Sequence, residues 1–223
     1  MHLDENKRKP LDLNEWAYMT IKMQILNNKI KPKDQLNIEE LTKTLNISRT
    51  PIREALLRLK QEGLVIAAPR VGFFVSGITQ RDYNDLFILR QLIECYAAQE
   101  SAEKMSDKDL EKLERIQKRS KVLVKKKKIK EFNQLEIQFH SMLIESLNNK
   151  RIQSVIDSIA DLIYRERFYA LNSDENVEMS LIEHGDIFSA ILAHDAKRAY
   201  EAMKTHILNV KSRVEKLVEF QEE

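Results

Sequence analysis

The chain has 223 residues, 43% apolar and 32% charged, with 37 Lys and Arg against 35 Asp and Glu. That is enough for one large or two small packed domains. No apolar run approaches the ~20 residues of a membrane span, which excludes a membrane-embedded class. Cys95 is the only cysteine, so no internal disulfide forms. With no apolar stretch in MHLDENKRKP to act as a signal peptide, a cytoplasmic location is expected.

Punctuation is uneven. All four prolines (10, 32, 51, 69) and three of the four glycines (63, 72, 77) lie in the first 77 residues, and only Gly185 follows. Residues 1–77 hold 13 Lys and Arg against 9 Asp and Glu, hence +4, and residues 78–223 hold 24 against 26, hence −2. These shifts place a boundary near Gly77. Residues 1–10 read as a flexible arm, 11–77 as a first domain and 78–223 as a second domain made of helices.

In the first domain, Asp12 with Glu15 forms a capping pair ahead of a helix to about Asn28, with Trp16, Ile21 and Ile25 apolar. KIKPKDQL is a loop, where Pro32 ends helical order. Asn37 with Glu40 caps a short helix carrying Ile38, Leu41 and Leu45, and Leu45-Asn46-Ile47 turns into a third helix, ISRTPIREALLRLKQEG. Ser48 or Thr50 caps its start, Pro51 sits in the first turn where a missing N–H is no loss, and Gly63 ends it. Ile52, Ala55, Leu56 and Leu59 make its core face. Arg49 and Arg53, four apart, share a neighbouring face at its N-terminal end, with Thr50 beside them. Guanidinium forks there suit phosphates and the O6/N7 edge of guanine, although a surface helix with two solvated arginines would read the same. LVIAAPRVGFFVSG follows as two β-rich runs around Pro69-Arg70-Val71-Gly72, a small wing. Three helices, the last two joined by a tight turn, and a wing in a basic segment predict a winged helix-turn-helix with double-stranded DNA as partner.

In the second domain, helices are expected over 80–104, 107–124, 131–147, 151–170, 177–193 and 196–219, an antiparallel all-helical bundle. KVLVKKKKIK, Lys121 to Lys130, reads as a solvated face or connection. Arg90 and Glu94 are four apart on the first of these helices, and so are Glu136 and His140 on the third. His184 lies 10 residues before the His194-Asp195 turn and His206 lies 11 after it. Near-equal distances put both at one level of an antiparallel pair, roughly 15 Å from the bend. One carboxylate and three imidazoles, Glu136, His140, His184 and His206, suit a divalent transition metal such as Zn or Ni. Each histidine alone would equally fit a hydrogen-bonded core position.

LNISRTPIREALLRLKQEGLV followed by VGFFV resembles the DNA-binding domain of the GntR family of bacterial transcription regulators. LFILRQLIE, EIQFHSML followed by NN, and EHGDIFSAIL with KTHI resemble the helical ligand-binding (FCD) domain of its FadR-type branch. The resemblance covers nearly the whole chain. It implies DNA contacts at Arg49, Thr50 and Arg53, with Gly72 at the wing tip. It implies metal ligands at Glu136, His140, His184 and His206, and places Arg90 where such domains pair with a carboxylate effector. Two positions depart: Glu39 stands where several members have an arginine, and Glu136 where metal-binding members have an aspartate.

The sequence therefore reads as a cytoplasmic, ligand-responsive transcription regulator, a repressor binding a two-fold related operator as a homodimer. A small organic acid and a metal ion in the helical domain would control it. A metal-dependent hydrolase is an alternative, since three histidines can leave an open metal position. So is an architectural DNA binder whose helical domain only dimerises.

Overall fold

The computed structural model describes residues 12–77 and 79–217, with nothing of the Phe168 side chain. The arm expected over residues 1–10 lies outside the described residues. Residue contacts separate two units, one ending at Thr79 and the other beginning at Gln80.

The Asp12 carboxylate accepts from the backbone N–H groups of Asn14 and Glu15 and starts α1 (Leu13–Leu26). Asn37 caps α2 (Ile38–Leu45) in the same way through Glu39 and Glu40. Asn46 then adopts φ 52°, a left-handed turn that asparagine tolerates, and leads into α3 (Arg49–Gln61). Ser48 takes the cap position of α3 without a side-chain hydrogen bond, and Thr50 lies inside the helix. The expected hydroxyl cap is therefore not formed. Pro51 removes one first-turn N–H that would otherwise need a partner.

Gly63, at φ 77°, ends α3 and releases the chain into β2 (Val65–Ala68) and β3 (Gly72–Val75). A third strand, β1 (Gln35–Leu36), lies in the segment expected to be a loop. It pairs antiparallel with β3, giving the order β1-β3-β2 with Gln35 opposite Phe74 and Val65 opposite Val75. Two residues carry no periodicity, so sequence could not announce it. Gly72 sits at φ 135°, and a Cβ there would meet Gln35 Nε2 at 3.3 Å. Backbone geometry alone thus requires glycine at this position. Ile21, Ile52, Leu56, Leu59 and Leu64 are fully buried and make the core of this unit.

The second unit contains α4 (Gln80–Lys104), α5 (Asp107–Lys125), α6 (Ile129–Ser146), α7 (Lys150–Ala170), α8 (Asp174–Leu192) and α9 (Ala196–Glu215). Ser106, Asn149, Ser173 and Asp195 cap α5, α7, α8 and α9 with their side chains. Helix α4 lies against α6, α8 and α9, while α5 packs on α6 and α8. His194, at φ 55°, closes the α8–α9 hairpin. Phe139, Leu143, Ile187, Met203 and Ile207 fill the interior, each worth ~1.5–3 kcal/mol of transfer free energy. The lysine run forms the end of α5, a turn and the start of α6; it is largely exposed, and Lys127 pairs with Asp174 at 2.6 Å. No helix among the described residues is long and apolar enough to cross a membrane.

Candidate functional site

Arg49, Thr50 and Arg53 are exposed together on the first turns of α3. Arg53 has no ion pair among the described residues. Arg49 Nη2 lies 2.9 Å from Glu39 Oε1 on α2, an exposed pair worth ~0–1 kcal/mol. Glu39 therefore does more than decline phosphate: it half-neutralises the neighbouring cation of the unbound helix. Glu39→Arg should free Arg49, raise non-specific DNA affinity and steepen the log–log salt slope by roughly 0.9 per new phosphate contact. Binding isotherms across a salt series check this. An unchanged slope with unchanged base preference would show that residue 39 does not approach DNA.

In the second unit, α6, α8 and α9 bring His140, His184 and His206 together. All three are buried, and one ring nitrogen from each lies within 4.8 Å of those of the other two. Ring centroids are 4.9 Å apart for His140 and His184, 4.7 Å for His184 and His206, and 5.3 Å for His140 and His206. Every Nδ1 faces a carboxylate. The distances are 2.6 Å from His140 to Glu94, 3.1 Å from His184 to Glu136 and 2.7 Å from His206 to Glu183. Of these, the His206–Glu183 contact has hydrogen-bond geometry and favours the proton on His206 Nδ1, leaving its Nε2 as the lone-pair nitrogen, whereas His140 Nδ1 makes no hydrogen bond despite its closeness to Glu94. The Nε2 atoms of His140 and His184 are 3.1 Å apart. That contact is a hydrogen bond if one of the two rings carries its proton on Nε2, and three buried imidazole nitrogens this close are also a donor set that fits a divalent transition metal.

Glu136 is not in this trio of mutually close ligand atoms. Its Oε1 faces His184 Nδ1 and accepts from Ser180 Oγ at 3.0 Å. In this arrangement it lies beside His184 rather than among the three close nitrogens.

Arg90 is buried at the centre of a charge network. Its Nε donates to Glu94 Oε1 at 2.7 Å, its Nη2 to Glu94 Oε2 at 3.3 Å, and its Nη1 pairs with Glu166 of α7. The partner four residues on, Glu94, is the one that helical spacing suggests. Glu183 gathers His206, Asn209 and Arg213.

Burial disfavours the charged forms throughout. It presses His140 down to about 3 against the pull of Glu94, and lowers His184 and His206 as well. It pushes Glu136 up to about 7 despite Arg167 and Ser180. Burial would also raise Glu183, but hydrogen bonds from His206 and Arg213 together hold it down to about 2. Burial thus biases all three imidazoles toward the neutral form that ligates a metal.

Two family descriptions match the chain. "FCD domain" covers residues 85–209, more than half of it, and "Bacterial regulatory proteins, gntR family" covers residues 13–75. The chain is a gntR-family transcriptional regulator with an FCD domain. The HTH-type transcriptional repressor RspR of Escherichia coli strain K12 is 26% identical over 205 residues, 92% of this chain and 90% of that protein. McbR/YncC of E. coli shares the fold with a TM-score of 0.74 at 18% identity, over 93% of this chain and 99% of that one. The metal-free FCD domain of TM0439 matches with a TM-score of 0.56 at 21% identity, over 64% of this chain and 98% of that one. These matches are to transcriptional regulators, not to enzymes.

Within the FCD domain, sequence spacing did not single out Glu183, Glu166, Arg167 or Arg213 as site residues. Glu183 is adjacent to His184, and Arg165, Glu166 and Arg167 form a charged triplet, all three buried, on a helix packed against α4, α6 and α9. A triplet of charges at core-facing helical positions was the available signal.

Proposed function

We propose that this regulator is a cytoplasmic repressor that binds a two-fold related operator as a homodimer and responds to a small carboxylate effector held in its metal-containing FCD domain. The observation that carries the reading is the trio of buried, mutually close histidines. Burying these groups without a ligand to satisfy them is costly. His140, His184 and His206 would hold the ion, with Glu136 beside His184 as a fourth donor or as its orienting partner. A bound ion supplies a Lewis-acid anchor for an effector carboxylate. A second subunit is supported by Ile88, Leu92 and Tyr96, four residues apart on α4 and 44–67% exposed, an apolar stripe suited to a two-fold contact.

On the DNA side, Arg49 and Arg53 would reach bases or phosphates from α3, with Thr50 beside them and the Gly72 wing flanking. Loss of either arginine should cost ~1–3 kcal/mol of specific affinity if it reads guanine bidentately, and relax preference at that base pair. Measuring operator affinity of Arg49→Ala and Arg53→Ala at fixed salt, with the fold checked by circular dichroism, tests the assignment. If both bind as the parent does, α3 is not the reading helix. The control function is tested by the operator affinity of zinc-loaded protein with and without carboxylates, where an unmoved affinity would remove the effector from the proposal.

A further inference from the structure

The helical domain keeps much of its positive charge in one place. Between Arg115 and Lys130 the sequence holds nine Lys and Arg and no Asp or Glu. Of the 24 Lys and Arg in residues 78–223, those nine leave 15 against 26 Asp and Glu, hence −11 for the remainder. All nine are exposed, on α5, on the turn after it and on the start of α6. Leu110, Leu113, Gln117, Ser120 and Leu123 take the inward face of α5. Arg115, Lys118, Lys121 and Lys125, three or four apart, then share its outer side in a row about 15 Å long. Four of the nine are paired: Arg115 with Glu111 at 3.7 Å, Lys118 with Glu114 at 2.8 Å, Lys127 with Asp174 at 2.6 Å and Lys128 with Glu131 at 3.3 Å. Arg119, Lys121, Lys125, Lys126 and Lys130 have no ion pair with any described residue.

Folding does not ask for this ridge. Like charges four apart, Arg115 with Arg119 and Lys121 with Lys125, oppose helix formation. Lys125 suits the C-terminal end of α5, but Lys128 and Lys130 stand at the N-terminal end of α6, where the helix dipole disfavours a cation. Lys128, at the cap position, offers the first-turn N–H groups no side-chain acceptor. The self-repulsion of such a surface is relieved when a polyanion covers it.

We propose that this ridge is a second DNA-binding surface, one that holds the phosphate backbone of a duplex without reading its bases. The proposal rests on DNA binding through the winged helix. A duplex presents one negative charge per ~1.7 Å of axis, so a row about 15 Å long meets several phosphates at once. Seven of the nine residues are lysine, a point charge on a flexible stem that suits phosphate rather than a base edge. The acidic remainder of the domain repels the same polyanion, so the ridge decides which side of this domain a duplex approaches. DNA is also the polyanion that the other domain already holds, and a tethered second contact meets it at high effective concentration.

The test uses the full-length protein and a duplex of arbitrary sequence a few helical turns long, followed by fluorescence anisotropy across a salt series. Lys121→Gln/Lys125→Gln/Lys126→Gln/Lys130→Gln removes four cations that no described residue pairs. Loss of two phosphate contacts should shrink the log–log slope by roughly 1.8 and lower affinity at ~0.1 M salt roughly 60-fold. The variant should melt at or above the parent temperature, because like-charge repulsion is gone. Lys108→Gln/Lys150→Gln/Arg151→Gln/Lys197→Gln makes the same change in net charge at exposed positions outside the ridge and should leave the slope near the parent's. The ridge substitutions should produce the same slope change when added to Arg49→Ala/Arg53→Ala, so the two domains are read separately. A parent-like slope in the ridge variant overturns the proposal and leaves the α3 assignment standing. An equal loss in the charge-matched variant overturns it in favour of the general field of the protein, and a lowered melting temperature overturns it by assigning the loss to the fold. Poly-glutamate that displaces the duplex as well as unlabelled duplex does, at equal charge concentration, overturns the choice of DNA. A parent with no measurable affinity for the duplex at the lowest salt overturns the ridge and the α3 assignment together.

Discussion

Arg90→Ala should destabilise the helical unit by about 3–5 kcal/mol, the expected cost of removing one partner from a buried ion network. The magnitude follows from what is left behind. Glu94 and Glu166 are each 1–3% exposed at the side chain, and both lean on this guanidinium. Burial raises a carboxylate toward neutrality; at Glu94 the Arg90 charge and His140 reverse that, and at Glu166 Arg90 opposes it without reversing it. Without the arginine both acids must take up protons or admit water. Thermal melting should fall by roughly 6–20 °C for a unit of this size. Arg90→Met with Glu166→Gln should recover part of the loss, because one stranded charge is removed together with its counter-ion. A melting temperature of Arg90→Ala within about 2 °C of the parent would show that the network contributes almost nothing.

Much of this architecture was legible because its signals are local. The Asp12 and Asn37 caps, the Leu45-Asn46-Ile47 turn, Gly63 behind α3 and the six-helix run after residue 80 are each stated by a few adjacent residues. Helical arithmetic on either side of the His194 turn suffices to level His184 with His206, and four-residue spacing puts His140 beside Glu136. What was not legible depends on side chains meeting across elements. Strand β1 exists only because β3 offers it a partner. The Ser48 hydroxyl makes no cap although its type and place invite one. Glu136 precedes His140 by one turn, but in three dimensions its carboxylate also faces His184 of α8, a contact that spacing does not state. The partners of the other two imidazoles, Glu94 and Glu183, come from α4 and α8, and no spacing rule links them to their histidines. Glu39 was recognisable as a departure, but its contact with Arg49 required two helices in place.

Replacing His184 and His206 together by alanine should remove the ion and, with it, the stability that binding confers. For free metal a thousandfold above its dissociation constant that contribution is about 4 kcal/mol. Basal DNA affinity should change little, because α3 belongs to the other unit, while any effector-induced change should vanish. The pH dependence has a definite sign. Unperturbed imidazoles would shed metal as pH falls toward ~6. Here burial lowers all three, His140 down to about 3, so retention should extend to lower pH than unperturbed imidazoles would allow. In the metal-free fold these histidines sit below their unfolded value of ~6.5, so the unfolded chain binds more protons between the two values. Their contribution is fully present above pH ~6.5 and is lost as pH falls through their lowered values, which for His140 is about 3. Glu136, raised to about 7, acts in the opposite sense between its ordinary carboxylate value and neutrality. Its proton is the one metal binding should release near pH 6.

The most direct measurement is elemental analysis of the parent and the His184→Ala/His206→Ala variant after identical zinc or nickel loading and dialysis. The account predicts close to one ion per chain in the parent and none in the variant. Equal metal content in the two would contradict it and return the three histidines to the core as packing residues.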